Sequence, residues 1–180
     1  MLDTPNPHSY SVEKWVKVDQ SGSLTLGEQS VFRGVATFNL DAKGRMAIPA
    51  KFRKHLDACC EGRLVVTIDH ADHCLQMYPL SEWEQVEQKL ASLPSLNPQV
   101  RRLKRMLLGY ATECEMDKNG RILLPAKLRE FAGLEKSTVM IGQGNKFELW
   151  DEDTWNSLMD ECLEEDFDGI LPAELESLSL

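Results

Sequence analysis

The feature that most constrains the fold of this 180-residue chain is an internal repeat. The stretch LDAKGRMAIPAKFR at residues 40–53 returns as MDKNGRILLPAKLR at residues 116–129. A second match relates CLQMYPLSEW at residues 74–83 to KFELWDEDTW at residues 146–155. The chain therefore contains two homologous units, at residues 31–95 and 96–158, with a leader at residues 1–30 and an acidic tail at residues 159–180.

The two units have the same order of predicted elements. VFRGVATFNLD alternates apolar and polar residues, which predicts a half-buried strand, and YATECEMD is its counterpart. A D-x-x-G-R turn follows, in which aspartate favours the first position and glycine tolerates the left-handed backbone. RMAI and RILL are predicted return strands, and a short helix begins near Pro49 or Pro125. Two predicted helices join the units, with Ser81 and Asn97 as their N-caps.

The charge of the chain is distributed unevenly. The net charge is −9, yet residues 31–130 hold 16 basic against 12 acidic side chains, and residues 131–180 hold 2 against 13. Both copies of the turn lie in the basic part, so the overall acidity does not exclude a nucleic-acid partner. The sequence has no apolar run near ~20 residues and no secretory pattern at its N-terminus, which predicts a cytoplasmic protein without a membrane partner.

The duplicated turn is the candidate binding site. Arg45 and Arg121 follow the two turns, and a guanidinium group donates two parallel hydrogen bonds that suit phosphate or the edge of guanine. We expect the preceding aspartates to hold the turns and orient these arginines. The predicted DNA-binding residues are Asp41, Lys43, Arg45, Asp117, Lys118 and Arg121, with Lys51, Arg53, Lys127 and Arg129 as secondary contacts to the DNA backbone. The structural alternative is that each motif is only a hairpin turn, with its arginine paired to the turn aspartate.

The order and length of these motifs resemble the MraZ family of transcriptional regulators. The resemblance covers nearly all of residues 31–158 and rests on VFRG, LDAKGRMAIPAKFR, YPLSEWEQVEQKL, NPQVRRLKRMLLGYATECEMDKNGRILLPAKLR and GQGNKFELWDEDTW. It implies a β-rich α+β fold with two SpoVT-AbrB domains, which form a pseudo-twofold pair of swapped-hairpin β-barrel units with short flanking helices.

The resemblance also implies a function. Family members bind double-stranded DNA through the D-x-x-x-R motif, here Asp41/Arg45 and Asp117/Arg121. They recognise short direct repeats in the promoter of their own operon, which serves cell division and cell-wall synthesis, and they assemble into ring-like homo-oligomers. We therefore expect a nucleoid-associated regulator without enzymatic activity, cofactor or metal.

Two other interpretations remain open. The segment IDHADHC could ligate a metal through His70, His73 and Cys74, which would make the protein a metal-dependent enzyme, although the segment also reads as a polar turn. The tail DGILPAELESLSL could instead wrap a partner protein, as in antitoxins with the same hairpin fold.

The leader at residues 1–30 has no counterpart in the family. In the family that the sequence resembles, chains usually start at Met-Phe-Arg-Gly, and here Val31 occupies the position of that methionine. Because valine can be encoded by GTG, a bacterial start codon, we expect Val31 to be the first residue of the native protein, translated as methionine. N-terminal sequencing checks this expectation.

Overall fold

The computed structural model describes residues 16–18, 24–26 and 32–164. The described residues of the leader form the short strands β1 (Val16–Val18) and β2 (Leu24–Leu26), which pair antiparallel. The rest of the predicted leader, Val31 and residues 165–180 of the predicted tail lie outside the described residues. Residues 159–164 of that tail belong to a helix that ends at Glu164.

The two repeats contain equivalent elements. The first holds β3 (Phe32–Asn39), β4 (Arg45–Ala47), α1 (Ala50–Cys60), β5 (Arg63–Ile68), β6 (Leu75–Pro79) and α2 (Leu80–Ser92). After α3 (Pro98–Tyr110), the second holds β7 (Thr112–Glu115), β8 (Arg121–Leu123), α4 (Ala126–Phe131), β9 (Ser137–Gly144), β10 (Phe147–Asp151) and α5 (Glu152–Glu164). The described chain is thus an α+β structure with antiparallel strand pairing.

The repeats exchange their first strands. The main sheet has the order β3-β9-β10-β6-β5-β7, so β3 of the first repeat pairs with β9 of the second, and β7 pairs back with β5. The return strands β4 and β8 pair with each other in a separate two-stranded sheet, which we call the ribbon. The six described strands of the main sheet form an open sheet with β3 and β7 at its edges, not the closed barrel that the resemblance implied.

The main core lies between the sheet, the ribbon and the helices α1 and α4. Phe32, Phe52 and Phe147 pack together there, with the Phe32 and Phe147 ring centres 4.2 Å apart. Met46 and Ile122, the central residues of the two ribbon strands, are almost completely buried in the same core. This burial anchors one face of the ribbon and leaves its other face on the surface.

Smaller clusters form where helices pack on the sheet. Trp83 of α2 is buried against Val65 and Tyr78, and Trp155 of α5 packs beside Trp150. Both of these tryptophans, which occupy equivalent positions in the two repeats, therefore contribute to packing.

Two helix boundaries test the predicted caps. Asn97 is the N-cap of α3, and its side chain accepts a hydrogen bond from the Gln99 N–H at 2.9 Å. The predicted Ser81 cap is wrong: α2 begins at Leu80 because β6 runs directly into the helix through Pro79, whose φ of −54° already suits a helix. Tyr110, which the sequence placed on a strand, is the last residue of α3.

Candidate nucleic-acid interface

Each D-x-x-G-R turn is closed by its own backbone. The Gly44 N–H donates to the Asp41 carbonyl oxygen at 2.8 Å, and the Asp41 N–H donates to the Arg45 carbonyl at 2.9 Å. Gly120 and Asp117 make the same two bonds at 2.7 and 2.8 Å. The glycines have φ values of +78° and +73°, which other residues rarely adopt, so the turn chemistry predicted from the sequence is confirmed.

The aspartate of the first turn also fixes the arginine. The Asp41 Oδ1 atom accepts hydrogen bonds from the N–H groups of Lys43 and Arg45, both at 2.9 Å. Its Oδ2 atom accepts from the Arg45 Nε at 2.6 Å. These bonds to the charged form, the one from the Arg45 N–H above all, lower the pKa of Asp41 from 3.8 to about 2.

The second turn repeats this arrangement with a looser ion pair. Asp117 Oδ1 accepts from the N–H groups of Asn119 and Arg121 at 2.8 and 2.9 Å, while Arg121 Nε lies 3.3 Å from Oδ2. The pKa of Asp117 is lowered as well, chiefly by the Arg121 N–H bond. Both aspartates therefore hold the turn and orient the arginine that follows.

The ribbon brings the two arginines to one surface. Arg45 stands opposite Leu123, and Ala47 stands opposite Arg121. Because Met46 and Ile122 point inward, all four of these neighbours lie on the outward face. Arg45 and Arg121 are diagonal neighbours, a relation that places two residues roughly 7–8 Å apart.

Leu123 is a surface residue that sequence reasoning missed. Leu123 is 57 % exposed although it stands on the ribbon between the two turns. RILL is predictable only as an apolar return strand, and nothing in that pattern distinguishes the outward Leu123 from the buried Ile122 and Leu124. The register of the ribbon makes the distinction.

The other predicted basic residues surround the ribbon in different ways. Lys43 and Lys118 are exposed on the turns, and Lys51 and Lys127 are exposed at the starts of α1 and α4. Lys51 also places its Nζ 4.6 Å from the centre of the Phe52 ring. Arg53 and Arg129 are half-buried and donate hydrogen bonds to backbone carbonyls.

The alternative metal site is not assembled. Within the described residues, no group of three or more His, Cys, Asp or Glu side chains is placed to hold a metal ion. Cys74 is buried, which raises the pKa of its thiol above the usual range. The neighbouring Asp69 carboxylate instead accepts hydrogen bonds from the N–H groups of Ala71 and Asp72 and from the Gln76 amide.

Among the helices of the described residues, none has the length and apolar character needed to span a membrane.

Comparison with known proteins indicates the class of protein to which this fold and surface belong. A transcriptional regulator MraZ of Thioalkalivibrio sulfidiphilus is 59 % identical over 151 residues, which cover 83 % of this chain and all of that protein. Proteins of the same name from Halorhodospira halophila and Pseudomonas putida are 55 % and 50 % identical, again over 83 % of this chain and their full length. These relatives define the chain as a transcriptional regulator.

The same family model matches the chain twice, once in each repeat. The family described as "MraZ protein, putative antitoxin-like" matches residues 31–106 and again residues 107–173. The chain belongs to the MraZ family, and the resemblance inferred from its motifs is confirmed.

Proposed function

We propose that the protein is a sequence-specific DNA-binding regulator whose ribbon reads double-stranded DNA with Arg45 and Arg121. The observation that carries this proposal is the placement of both arginines on the outward face of one two-stranded ribbon. The major groove is ≈ 12 Å wide and admits a two-stranded ribbon. The backbone positions of the two arginines, roughly 7–8 Å apart as diagonal neighbours, span about two base-pair steps of ≈ 3.4 Å.

The turn aspartates prepare the arginines for this contact. Asp41 and Asp117 engage the Nε atoms, which leaves the terminal nitrogens of each guanidinium at the outer end of the side chain. Two terminal nitrogens donate a parallel pair of hydrogen bonds to the O6 and N7 atoms of guanine. In this proposal Lys43, Lys118, Lys51 and Lys127 add contacts to the phosphates around the site.

The proposed target is a set of short direct repeats in the promoter of the protein's own operon for cell division and cell-wall synthesis. Family membership supports this target. The size of the ribbon supports it too, because one ribbon would contact only the few base pairs of a single DNA repeat. A ring-like homo-oligomer would hold several ribbons at fixed spacing, so that later contacts become effectively intramolecular. The exchange of strands between the two protein repeats supports a swapped-hairpin fold of the SpoVT-AbrB type. In this proposal the regulator acts on DNA at the nucleoid, in the cytoplasm.

The test is binding of the full chain to DNA upstream of its own gene, measured by fluorescence anisotropy and footprinting. Arg45→Ala combined with Arg121→Ala is expected to weaken binding at least about thirtyfold, because each bidentate base contact contributes ~1–3 kcal/mol. The matched control is Arg102→Ala with Arg105→Ala, which removes the same charge from the exposed face of α3. Equal losses in the two double variants would assign the affinity to bulk charge and contradict the proposal.

A second candidate function is an interaction module that captures a partner protein through the C-terminal tail. The family description "putative antitoxin-like" favours it. Because α5 continues to Glu164, deletion of residues 165–180 removes the remaining tail and keeps the described helix. Loss of a co-purifying protein with unchanged DNA binding would support this function, and loss of neither would argue against it.

A further inference from the structure

Arg53 and Arg129, equivalent residues of the two repeats, are held in the same way. Arg53 Nε donates a hydrogen bond to the Ile48 carbonyl oxygen at 2.7 Å, and Arg129 Nε donates to the Leu124 carbonyl at 3.2 Å. Each bond joins the helix after the ribbon to the end of the preceding ribbon strand. The bond therefore fixes the direction in which each guanidinium points.

Each guanidinium lies against the turn of the other repeat. A Cβ atom added to Gly44 would lie 2.6 Å from Arg129 Nε and 2.7 Å from its Cζ. The same atom added to Gly120 would collide with Nε, Cδ and Cζ of Arg53. Both glycines are buried although they belong to surface turns, because these arginines cover them.

Backbone hydrogen bonds cross between the repeats at the same places. The Ile48 N–H donates to the Gly120 carbonyl oxygen at 2.8 Å, and the Leu124 N–H donates to the Gly44 carbonyl at 3.0 Å. The peptide before Arg121 is thus bonded to the Ile48 N–H, and the Ile48 carbonyl in turn accepts the hydrogen bond from Arg53 Nε. The peptide before Arg45 is held in the same way by Leu124 and Arg129.

From this geometry we infer that Arg53 positions the Arg121 turn and that Arg129 positions the Arg45 turn. The inference rests on the proposed DNA-reading function and replaces the role predicted from the sequence, in which Arg53 and Arg129 contact the DNA backbone. Each repeat thereby supplies the support for the other repeat's reading arginine. The role requires arginine, since a planar guanidinium can donate through Nε and lie flat on a glycine, whereas the ammonium group of lysine cannot.

Double-mutant cycles on promoter DNA test this crossed arrangement. We expect Arg53→Ala to weaken binding about tenfold in the wild-type chain, the size of one lost base contact. In an Arg121→Ala background, the same change is expected to cost less than about twofold, because the contact it supports is already gone. In an Arg45→Ala background, it is expected to cost about tenfold again.

A structural measurement without DNA separates this inference from the proposed function. Arg53→Lys keeps the charge and the fold, and is expected to raise the hydrogen-exchange rate of the Gly120 amide at least about fivefold. The Gly44 amide is expected to change less than about twofold, and Arg129→Lys is expected to reverse the pattern. If the wild-type chain binds no promoter DNA, the proposed function fails while this measurement still tests the positioning.

Three results would overturn the inference. A tenfold loss from Arg53→Ala in the Arg121→Ala background would make Arg53 an independent DNA contact. Coupling of Arg53 to Arg45 in place of Arg121 would contradict the crossed arrangement. Unchanged exchange of the Gly120 amide in Arg53→Lys would show that the guanidinium does not support the turn.

Discussion

Asp41 illustrates how one side chain both closes a turn and orients a neighbouring arginine. Its carboxylate accepts two backbone N–H bonds within the turn and one bond from the Arg45 side chain. The hairpin interpretation and the binding interpretation of this motif are therefore compatible, because the bonds that close the turn also aim the arginine. Asp117 does the same for Arg121 with a longer ion pair.

The lowered pKa of Asp41 predicts a specific pH dependence. A carboxyl group whose pKa falls on folding contributes stability above its ordinary pKa, and that contribution is lost as pH falls through the folded value. For Asp41 the contribution is complete above 3.8 and disappears as pH falls through about 2. An NMR titration of the Asp41 carboxyl carbon is expected to show a midpoint of about 2, and Asp117 is expected to titrate below its ordinary value too.

A variant checks the cause of this shift. In Arg45→Ala the side-chain bond is lost but both backbone bonds remain, so the Asp41 midpoint is expected to rise only part of the way towards 3.8. A midpoint at or above 3.8 in the unchanged chain would contradict the bonding described here.

The ribbon is built from one strand of each repeat. Its inner face carries Met46 and Ile122 into the core, and its outer face carries Arg45, Arg121 and Leu123. The outer face is not symmetric, since Ala47 of the first repeat corresponds to Leu123 of the second. If the ribbon reads DNA as proposed, this asymmetry predicts an asymmetric DNA site and not a palindrome.

The exposed Leu123 should affect binding without affecting folding. Leu123→Ala is expected to weaken promoter binding about fivefold, because an apolar side chain in the major groove contacts thymine methyl groups. The melting temperature should stay nearly constant, as surface substitutions usually change stability by less than ~0.5 kcal/mol. The control is Leu163→Ala on α5, where an 84 % exposed leucine lies away from the ribbon strands. Similar binding losses in both variants would exclude a specific role for Leu123.

In the whole molecule, the exchange of strands makes the repeats depend on each other. β3 finds its sheet partner in the second repeat, and β5 pairs with β7 across the same boundary. The single main core also draws residues from both repeats. The predicted units at residues 31–95 and 96–158 are therefore repeats in sequence whose strands interlock in space.

Interlocked repeats should unfold together. Ile122→Ala is expected to lower the free energy of unfolding by about 2–4 kcal/mol, as large-to-small changes in a core do. Native-state hydrogen exchange should then report the same loss for Val66 in β5 and Met140 in β9, which belong to different repeats. Leu123→Ala, the adjacent exposed position, serves as the control for stability. A loss confined to β9 would show that the first repeat folds independently.

The sequence alone determined the local features of this protein. The duplication was visible as identical letters, and the turns followed from the chemistry of aspartate and glycine, which acts within a few residues. The alternation in β3 identified its buried side: Phe32 and Leu40 lie in the core, whereas Arg33 and Val35 are exposed. These features were predictable because their causes lie within single segments.

Strand pairing and the turn that Arg53 or Arg129 contacts depend on the three-dimensional packing of the whole chain. The two homologous repeats carry the same hydrophobic pattern. The backbone hydrogen bonds of β3 could therefore be made with a strand of either repeat, and the pattern alone does not distinguish the two partners. For the same reason the contacts of Arg53 and Arg129 could not be predicted from the sequence. Arg53 contacts Gly120 and Arg129 contacts Gly44, each in the opposite repeat. The exposure of Leu123 also depended on the ribbon register. Burial and pairing across repeats are set by packing between distant segments, and that packing places both arginines on one surface.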